Sequence, residues 1–213
     1  MPDLDQRTGK GNWAEAEEKA RSGVDMGTMN RAPLMSMLSR YREKYPKEAA
    51  TVDRFITFVS DNDNCFQRSL QEGHVTGSAW VVDSTGEKVL LTHHRKLDRW
   101  LQMGGHADGE SDVLSVALRE VEEESGLAKV APISTEIFDV DIHLIPERGH
   151  EAEHLHYDIR FALVNIGDEA YTVSEESHDL KWINISNVSD YTNEESMLRM
   201  VRKWEAAPFS LQT

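Results

Sequence analysis

The chain has 213 residues, of which 39% are hydrophobic and 29% are charged, and its formal net charge at pH 7 is −15. This length and composition fit one α/β domain with a smaller appendage and exclude global disorder. The negative charge argues against duplex nucleic acid and anionic membranes as partners, because both attract clustered Lys and Arg.

Several sequence features bear on the cellular compartment. No stretch of about 18 apolar residues predicts a transmembrane span. Residues 1–23 lack the basic start and the apolar stretch of a signal peptide. The single cysteine, Cys65, cannot form an intramolecular disulfide, and we expect it to be a small core residue. A cytoplasmic protein fits these observations best.

The N-terminal part of the chain predicts a tail followed by helices. Residues 1–30 are polar and contain several glycines, and we expect them to form a tail or a loosely attached helix. Residues 31–70 predict a small N-terminal helical extension, because apolar residues recur there at helical spacing and Pro46 can start a second helix. The apolar positions are Leu34, Met37 and Leu38 in the first helix and Phe55, Phe58 and Val59 in the second.

The pattern changes to strands at Gly73, and residues 71–213 are predicted to form the main domain. Residues 74–83 and 88–95 predict a β-hairpin, and residues 112–125 predict a helix. Further strands are predicted at 136–145, 154–164 and 181–185, and a last helix at 195–206. This order indicates an α/β (α+β) fold in which a mixed sheet is covered by helices.

The helix predicted at 112–125 combines an apolar stripe with a cluster of carboxylates. The stripe expected to pack on the sheet consists of Leu114, Ala117, Leu118 and Val121. Glu120, Glu123 and Glu124 are spaced i, i+3 and i+4, so they share a neighbouring patch. Arg119 lies four residues before Glu123 and can pair with it. A bare acidic face would simply be solvated, whereas carboxylates clustered near a core would need a hard divalent cation such as Mg²⁺ or Mn²⁺.

The wider segment 104–127 resembles the Nudix box, Gly-x5-Glu-x7-Arg-Glu-U-x-Glu-Glu-x-Gly-U, where U is a bulky aliphatic residue. The positions that match in register are Gly105, Arg119, Glu120, Val121, Glu123, Glu124, Gly126 and Leu127. Ser111 stands where the family has its first Glu, and Glu110 lies one residue earlier. Flanking segments within residues 70–185 look like those of bacterial Nudix proteins with an N-terminal helical extension. The chain is therefore identified as a member of that family.

The resemblance implies a mixed β-sheet sandwiched between helices and a hydrolysis, dependent on Mg²⁺ or Mn²⁺, of a nucleoside diphosphate linked to a moiety X. The cations would bind to the carboxylates of Glu120, Glu123 and Glu124 and to the backbone carbonyl of Gly104. Arg119 would hold the glutamates in place. The general base stays open among Glu120 and the acids of later loops, namely Glu151, Glu153, Glu175 and Glu176. Glu120 and the pair Glu175–Glu176 rank equally, and Glu176 is included among the candidate catalytic residues.

Other polar residues are candidates for substrate binding. Arg95 and Arg99 precede the box and could hold phosphates, although a solvated hairpin end also explains them. The residues that alternate along one predicted strand, and therefore share one face, are His154, His156, Asp158 and Arg160. This face predicts either a wet pocket, with His156 and Arg160 contacting the substrate, or an edge strand in solvent. A zinc site is not favoured there, because we expect neither a Cys pair nor an HExxH pattern to support one.

The sequence leaves the particular substrate open. Pro146 lies farther beyond the box than the proline that ADP-ribose hydrolases of the family often carry, and no other substrate motif fits cleanly. The rival to an enzyme is a catalytically silent Nudix module that senses a nucleotide, but the intact Arg-Glu-x-x-Glu-Glu core favours the enzyme. The expected partner is a nucleoside diphosphate derivative, and the N-terminal helices could serve a homodimer or cover the pocket.

Overall fold

The structure is a computed structural model that describes residues 26–149 and 152–206, with side chains from residue 31 onward. Within these ranges, eight strands form one sheet, and helices cover both of its faces. The helices are α1 (Met26–Lys44), α2 (Ala49–Asp61), α3 (Val113–Ser125) and α4 (Glu195–Ala206), with short 3-10 helices at Pro46–Glu48 and Ile185–Asp190. The strands are β1 (Gly73–Val82), β2 (Lys88–His94), β3 (Arg99–Leu101), β4 (Met103–His106), β5 (Val130–Pro132), β6 (Asp139–Ile145), β7 (His154–Asn165) and β8 (Ser177–Asn184).

The sheet is mixed, as the sequence predicted. β1 and β7 run parallel to each other along their length at its centre. β1 also pairs antiparallel with β2 and β4, and β7 pairs antiparallel with β5 and β6. β3 and β8 both pair antiparallel with β2. The predicted hairpin of β1 and β2 is confirmed by the pairing of Val81 with Leu90 and of Val82 with Val89.

Alternate residues of the central strands face two hydrophobic clusters on opposite sides of the sheet. The first cluster joins β1, through Val75 and Val81, to α3 and to the N-terminal helices α1 and α2. The second cluster joins β1, through Trp80 and Val82, to α4 and to the 3-10 helix Ile185–Asp190. The predicted sandwich of a sheet between helices is therefore confirmed.

The N-terminal helices share the first cluster with the sheet. Phe58 stacks on Tyr157 of β7 with ring centroids 3.7 Å apart, and Phe55 meets the same ring edge-on at 5.3 Å. Cys65 is fully buried in this cluster, as predicted. α1 begins at Met26, inside the segment that we expected to be a tail, and residues 1–25 lie outside the described part of the chain.

The buried stripe of α3 differs in part from the predicted one. The buried apolar residues are Val113, Val116, Ala117 and Val121, whereas Leu114 and Leu118 are only partly buried. Gly77 of β1 explains the difference, because a Cβ there would lie 3.0 Å from the Cβ of Val116. Because Gly77 has no side chain, α3 can pack Val113 and Val116 closely against β1. Glu124 lies three residues after Val121, so it continues the buried stripe.

Three short strands were not predicted. β3, β4 and β5 contain three or four residues each, too few for a period-two pattern to stand out in a sequence. β4 has a further reason, since its central residues are glycines. None of the helices in the described ranges is both long enough and apolar enough to cross a membrane.

Candidate active site

The three box glutamates of α3 differ strongly in burial, because the packing of α3 orients them differently toward β1 and β4. Glu124 is 7% exposed, and its Oε1 accepts a hydrogen bond from the Gly104 N–H at 2.8 Å. The side chain of Glu120 is 16% exposed, whereas that of Glu123 is 63% exposed. One carboxylate is thus buried, one is mostly buried and one faces solvent. These three side chains and the Gly104–Gly105 backbone are called the carboxylate cluster below.

The two glycines of β4 let its backbone approach side chains on both of its faces. A Cβ at Gly105 would clash with the carboxylate of Glu120, and a Cβ at Gly104 would clash with the side chain of Ser78 on β1. At Gly104 the contact includes the Ser78 backbone, so only a residue without a side chain fits there, whereas a side chain at Gly105 would displace the carboxylate of Glu120. The glycines at the start of the box are therefore required by close packing around the carboxylates.

Arg119 connects the carboxylates to the backbone of β4. Its Nη2 donates to the carbonyl of His106 at 3.0 Å and to Oε1 of Glu120 at 2.9 Å. Its Nε lies 3.8 Å from Oε1 of Glu123, the pair that the sequence spacing predicted. Arg119 can therefore hold two of the three glutamates in fixed positions relative to β4.

The electrostatics of the carboxylate cluster favour bound positive charge. Burial raises the pKa of Glu124 to about 8, and the charges of Glu120, Glu176 and Glu123 act in the same direction, while the Gly104 N–H opposes them. Burial also raises the pKa of Glu120, against the pull of the Arg119 guanidinium. Carboxylates with raised pKa values tend to keep their protons unless a bound cation replaces the protons.

Glu176 lies beside the carboxylate cluster, on the loop that leads into β8. The main charges that raise the pKa values of Glu120 and Glu124 include Glu176 but not Glu175. The Glu176 carbonyl accepts a hydrogen bond from the Arg95 N–H at 2.9 Å, and the Arg95 Nη2 donates to the Ser177 carbonyl at 3.0 Å. The structure thus brings Glu176 and Arg95 together near the box.

Arg99 and Arg160, two of the predicted substrate-binding residues, lie in other surroundings. Arg99 forms an ion pair with Glu194, just before α4. The side chain of Arg160 is 3% exposed, and its Nε lies 2.7 Å from Oδ2 of Asp158. Its guanidinium is also within 3.4 Å of Asp139 and Asp141. A buried guanidinium surrounded by three carboxylates favours a structural role over the expected substrate contact.

The strand that carries His154, His156, Asp158 and Arg160 is not an edge strand. β7 lies between β1 and β6, so the alternative of a solvated edge is wrong. Asp158 accepts hydrogen bonds from the hydroxyls of Thr76 and Ser78 at 2.9 Å and 2.7 Å, and from the Gln102 side chain at 3.2 Å. We missed these partners in the sequence, although alternating polar residues at the start of β1 could have indicated them.

Glu110 is directed to the beginning of α3. Its Oε1 accepts a hydrogen bond from the Asp112 N–H at 2.8 Å. The Asp112 carboxylate in turn accepts hydrogen bonds from the backbone N–H and the hydroxyl of Ser115. Asp112 is thus the N-cap residue of α3. Glu110 therefore belongs to the capping arrangement before α3 and does not simply replace the Glu that the box has at Ser111.

The NUDIX domain model matches residues 73–204, which is more than half of the chain. The chain therefore belongs to the Nudix family. It is a Nudix hydrolase, in the pyrophosphohydrolase class that acts on phosphorus-containing anhydrides.

Three solved structures are similar to this chain, and the first of them, at a TM-score of 0.50, supports the fold. The MutT protein from Methanosarcina mazei Go1 has a TM-score of 0.50 at 15% identity, over 64% of this chain and 96% of that one. The E. coli dihydroneopterin triphosphate pyrophosphohydrolase has a TM-score of 0.48 at 15% identity, over 61% and 93%. The NUDIX domain of Shewanella oneidensis NrtR, in complex with ADP ribose, has a TM-score of 0.45 at 13% identity, over 65% and 90%. No curated protein matched the sequence.

Proposed function

We propose that this Nudix hydrolase uses Mg²⁺ or Mn²⁺ to cleave the phosphoanhydride bond of a nucleoside diphosphate linked to a second moiety X. The observation that carries the proposal is the carboxylate cluster, in which the buried Glu124 bonds to the Gly104 N–H and Arg119 aligns Glu120. Water would attack one phosphorus atom, and the phosphate or nucleotide on the other side of the broken bond would leave.

The donor set of the carboxylate cluster fits a hard divalent cation. Mg²⁺ and Mn²⁺ prefer carboxylate and carbonyl oxygens. The residues that would hold the ions are Glu120, Glu123, Glu124 and, through its carbonyl, Gly104. The raised pKa of Glu124 supports this fit, because the carboxylate is placed where the protein itself supplies too little positive charge. When bound, such ions neutralise phosphate oxygens and activate water.

Arg119 acts as a positioning residue in this proposal. It holds Glu120 and Glu123 against the His106 carbonyl, so the two carboxylates keep their places when ions and substrate enter and leave. The proposal does not require Arg119 to touch the substrate.

We assign the general base to Glu176. The carboxylate of Glu120 is mostly buried, is bonded to Arg119 and would be a metal ligand, so it is poorly placed to take up a proton as well. Glu176 is exposed and stands beside the cluster, where it can accept the proton of an attacking water.

Arg95 is the candidate for binding a substrate phosphate. Its backbone N–H and one guanidinium nitrogen are bonded to the carbonyls of Glu176 and Ser177, which holds the exposed arginine next to the proposed base. A guanidinium has several donors in a fork that matches phosphate oxygens. The remaining donors of Arg95 can therefore face a substrate while its position stays fixed.

The deciding experiment is a phosphate-release screen over nucleoside diphosphate derivatives, with and without Mg²⁺ or Mn²⁺. At least one compound should turn over with metal and none in excess EDTA. Glu124→Gln is the control for contaminating hydrolases, because it removes the charge of a proposed ligand. Full turnover in excess EDTA would overturn the metal assignment. Nucleotide binding without turnover of any compound would instead support the silent sensing module.

A cytoplasmic location and a homodimer stay predictions. Cell fractionation tests the first and sedimentation equilibrium the second. Neither result bears on the chemistry at the carboxylate cluster, since all of the residues proposed for it belong to one chain.

A further inference from the structure

A group of histidines lies on the face of the sheet opposite α3. His74 on β1 is in register with His156 on β7, and His106 on β4 pairs with Thr76, two residues along β1. His154 lies two residues before His156 and therefore on the same face. His74, His106, His154 and His156 are called the histidine cluster below.

The rings of the histidine cluster are close together. The ring centroid of His74 is 4.8 Å from that of His106, 4.9 Å from that of His154 and 4.8 Å from that of His156. One nitrogen from each of His74, His106 and His156 can be chosen so that all three atoms lie within 4.8 Å of one another. Three imidazole nitrogens from three strands thus lie in one small region of the sheet face.

His74 is the residue that most needs a partner. It is 2% exposed, and neither of its ring nitrogens meets ordinary distance and angle limits for a hydrogen bond to a described residue. The Leu70 backbone is near enough to oppose the fall in the pKa of His74, but its geometry does not satisfy the ring. A buried polar group without a partner is unfavourable and needs a reason. Hydrophobic packing does not provide one, since the neighbouring rings of His74 are themselves imidazoles.

The protonation state of these rings suits metal binding. Burial lowers the pKa of His74 to about 4 and that of His156 to about 2, and the neighbouring imidazoles act in the same direction. Both rings are therefore neutral at pH 7, and the neutral imidazole is the form that binds metal ions.

We propose that His74, His106 and His156 bind a transition-metal ion, of which Zn²⁺ is the representative, with His154 placed to supply a fourth nitrogen. Nitrogen donors distinguish this site from the carboxylate cluster, because imidazole suits Zn²⁺, whereas Mg²⁺ prefers oxygen.

His154 is oriented for this role by its own backbone contact. Its Nδ1 lies 2.8 Å from the carbonyl of Ala152, a contact that requires a proton on Nδ1 and so puts the lone pair on Nε2. That Nε2 accepts a hydrogen bond from Nε2 of His156 at 3.3 Å, and a bound metal ion would replace the shared proton. Two ligand nitrogens on a tetrahedral zinc ion, with bonds of about 2.1 Å, are about 3.4 Å apart. This pair already has that spacing, and the half-buried rings of His106 and His156 can turn to close the rest.

The expectation against zinc on this face was incomplete. Residues 150–154 read His-Glu-Ala-Glu-His, which matches the letters of the HExxH motif. That motif binds zinc when both histidines lie on one face of a helix. Here His154 begins β7, and residues 150 and 151 lie outside the described part of the chain, so the helical motif does not carry the proposal.

The proposed ion would lie directly behind the carboxylate cluster. His106 follows Gly104 and Gly105 in β4, and its carbonyl accepts the hydrogen bond from Arg119. A metal bond to His106 would tie β4 to β1 and β7 at the place where the box begins. The role that follows is structural, namely to hold the β4 backbone that the glutamates approach from the other face.

The test measures Zn²⁺ binding to the metal-stripped full chain in excess Mg²⁺, which occupies oxygen sites. One Zn²⁺ per chain should bind, and X-ray absorption should show nitrogen ligands at about 2.0–2.1 Å. His74→Asn and His156→Asn should each weaken binding by at least about tenfold. His106→Asn repeats the test at a half-buried position, in case His74→Asn fails to fold.

Two control variants separate this site from others. His178→Asn removes an exposed histidine of β8, and Glu123→Gln removes a carboxylate of the other cluster; both should leave Zn²⁺ affinity unchanged. Zinc binding that disappears in Glu123→Gln but persists in all three cluster variants would overturn the proposal. So would the absence of any Zn²⁺ binding in excess Mg²⁺, or oxygen ligands alone in the absorption spectrum.

Discussion

The carboxylate cluster and the histidine cluster meet at β4, where Gly105 faces one and the next residue, His106, faces the other. The carboxylates come from a single turn and a half of α3, and their oxygen atoms suit a hard cation. The histidines come from three strands, and their nitrogen atoms suit a softer ion. The comparison teaches that one short strand can serve two different kinds of site, because its residues alternate between the two faces of the sheet.

The clusters also differ in how their charges are balanced. Beyond the histidine cluster, the same face of the sheet carries Asp158 and Arg160, whose charges are paired within the protein. In the carboxylate cluster, Arg119 is the cation that contacts Glu120 and Glu123, and the buried Glu124 bonds to a backbone N–H. Charges that are paired within the protein, as at Asp158 and Arg160, support a role in stability. Carboxylates that are incompletely paired, as in the carboxylate cluster, support a role in ligand binding. The predictions below test this contrast.

The largest effect is expected from Arg160→Met on stability. The substitution removes the guanidinium that pairs with the buried carboxylates of Asp158 and Asp139. The free energy of unfolding should fall by about 3–5 kcal/mol, because these charges stay buried without that partner. Urea titration followed by circular dichroism measures this. Arg202→Met removes an arginine from an exposed pair with Glu195 and is the matched control, expected to change stability little. Equal stability of the two variants would show that the buried pairs do not hold this face.

The second prediction concerns the ligands of the carboxylate cluster. Glu123→Gln and Glu124→Gln should each lower kcat by at least roughly 10²-fold, because a lost ligand charge weakens transition-state stabilisation. Glu122→Gln, on the exposed side of the same helix, should keep its activity. Steady-state kinetics at saturating Mg²⁺ measures all three. A wild-type rate for Glu124→Gln would remove Glu124 from the metal site.

Folding provides a separate readout for the same variants. Glu124→Gln should not destabilise the protein, because burial already disfavours the charged form of this side chain. Thermal unfolding in EDTA checks this. A large loss of stability would mean that the carboxylate is structural, and the loss of activity would then have another explanation.

The third prediction separates the two glutamates of the loop before β8. Glu176→Gln should lower kcat by about 10²-fold with little change in KM, because a general base acts in the chemical step. The low-pH limb of the kcat profile should also disappear, since that limb reports protonation of the base. Glu175→Gln is the matched control and should resemble the wild type. Equal effects of both variants would reject Glu176 as the base.

The smallest effect is expected at the departure from the box. Glu110→Ala should leave Mg²⁺ affinity nearly unchanged, because this carboxylate accepts the Asp112 N–H before α3. Ser111→Ala should also have little effect. Calorimetric metal titrations compare the two variants with the wild type. An affinity about tenfold lower in Glu110→Ala would show that this side chain supports the metal site after all.

Much of the fold was readable from the sequence because its long elements carry strong patterns. β1, β2, β7, α3 and α4 lie within about a residue of their predicted positions, since alternation and helical periodicity extend over seven or more residues in each. β3, β4 and β5 were missed because they are short. The predicted α3 residues Leu114 and Leu118 do pack against the core, but the more deeply buried Val113 and Val116 were missed. The contact with Gly77, which is distant in sequence, decides which side of the helix lies closest to the sheet.

The sequence by itself determined that Glu120, Glu123 and Glu124 lie together, because a helix places residues three and four apart on one patch whatever surrounds it. Tertiary structure alone decided that Glu124 is buried while Glu123 is exposed, and that Glu176 stands beside them. It also brought ring nitrogens of His74, His106 and His156 within 4.8 Å of one another. Their proximity depends on the register between β1, β4 and β7. That register is set jointly by side chains distant in sequence, so no local sequence pattern encodes it.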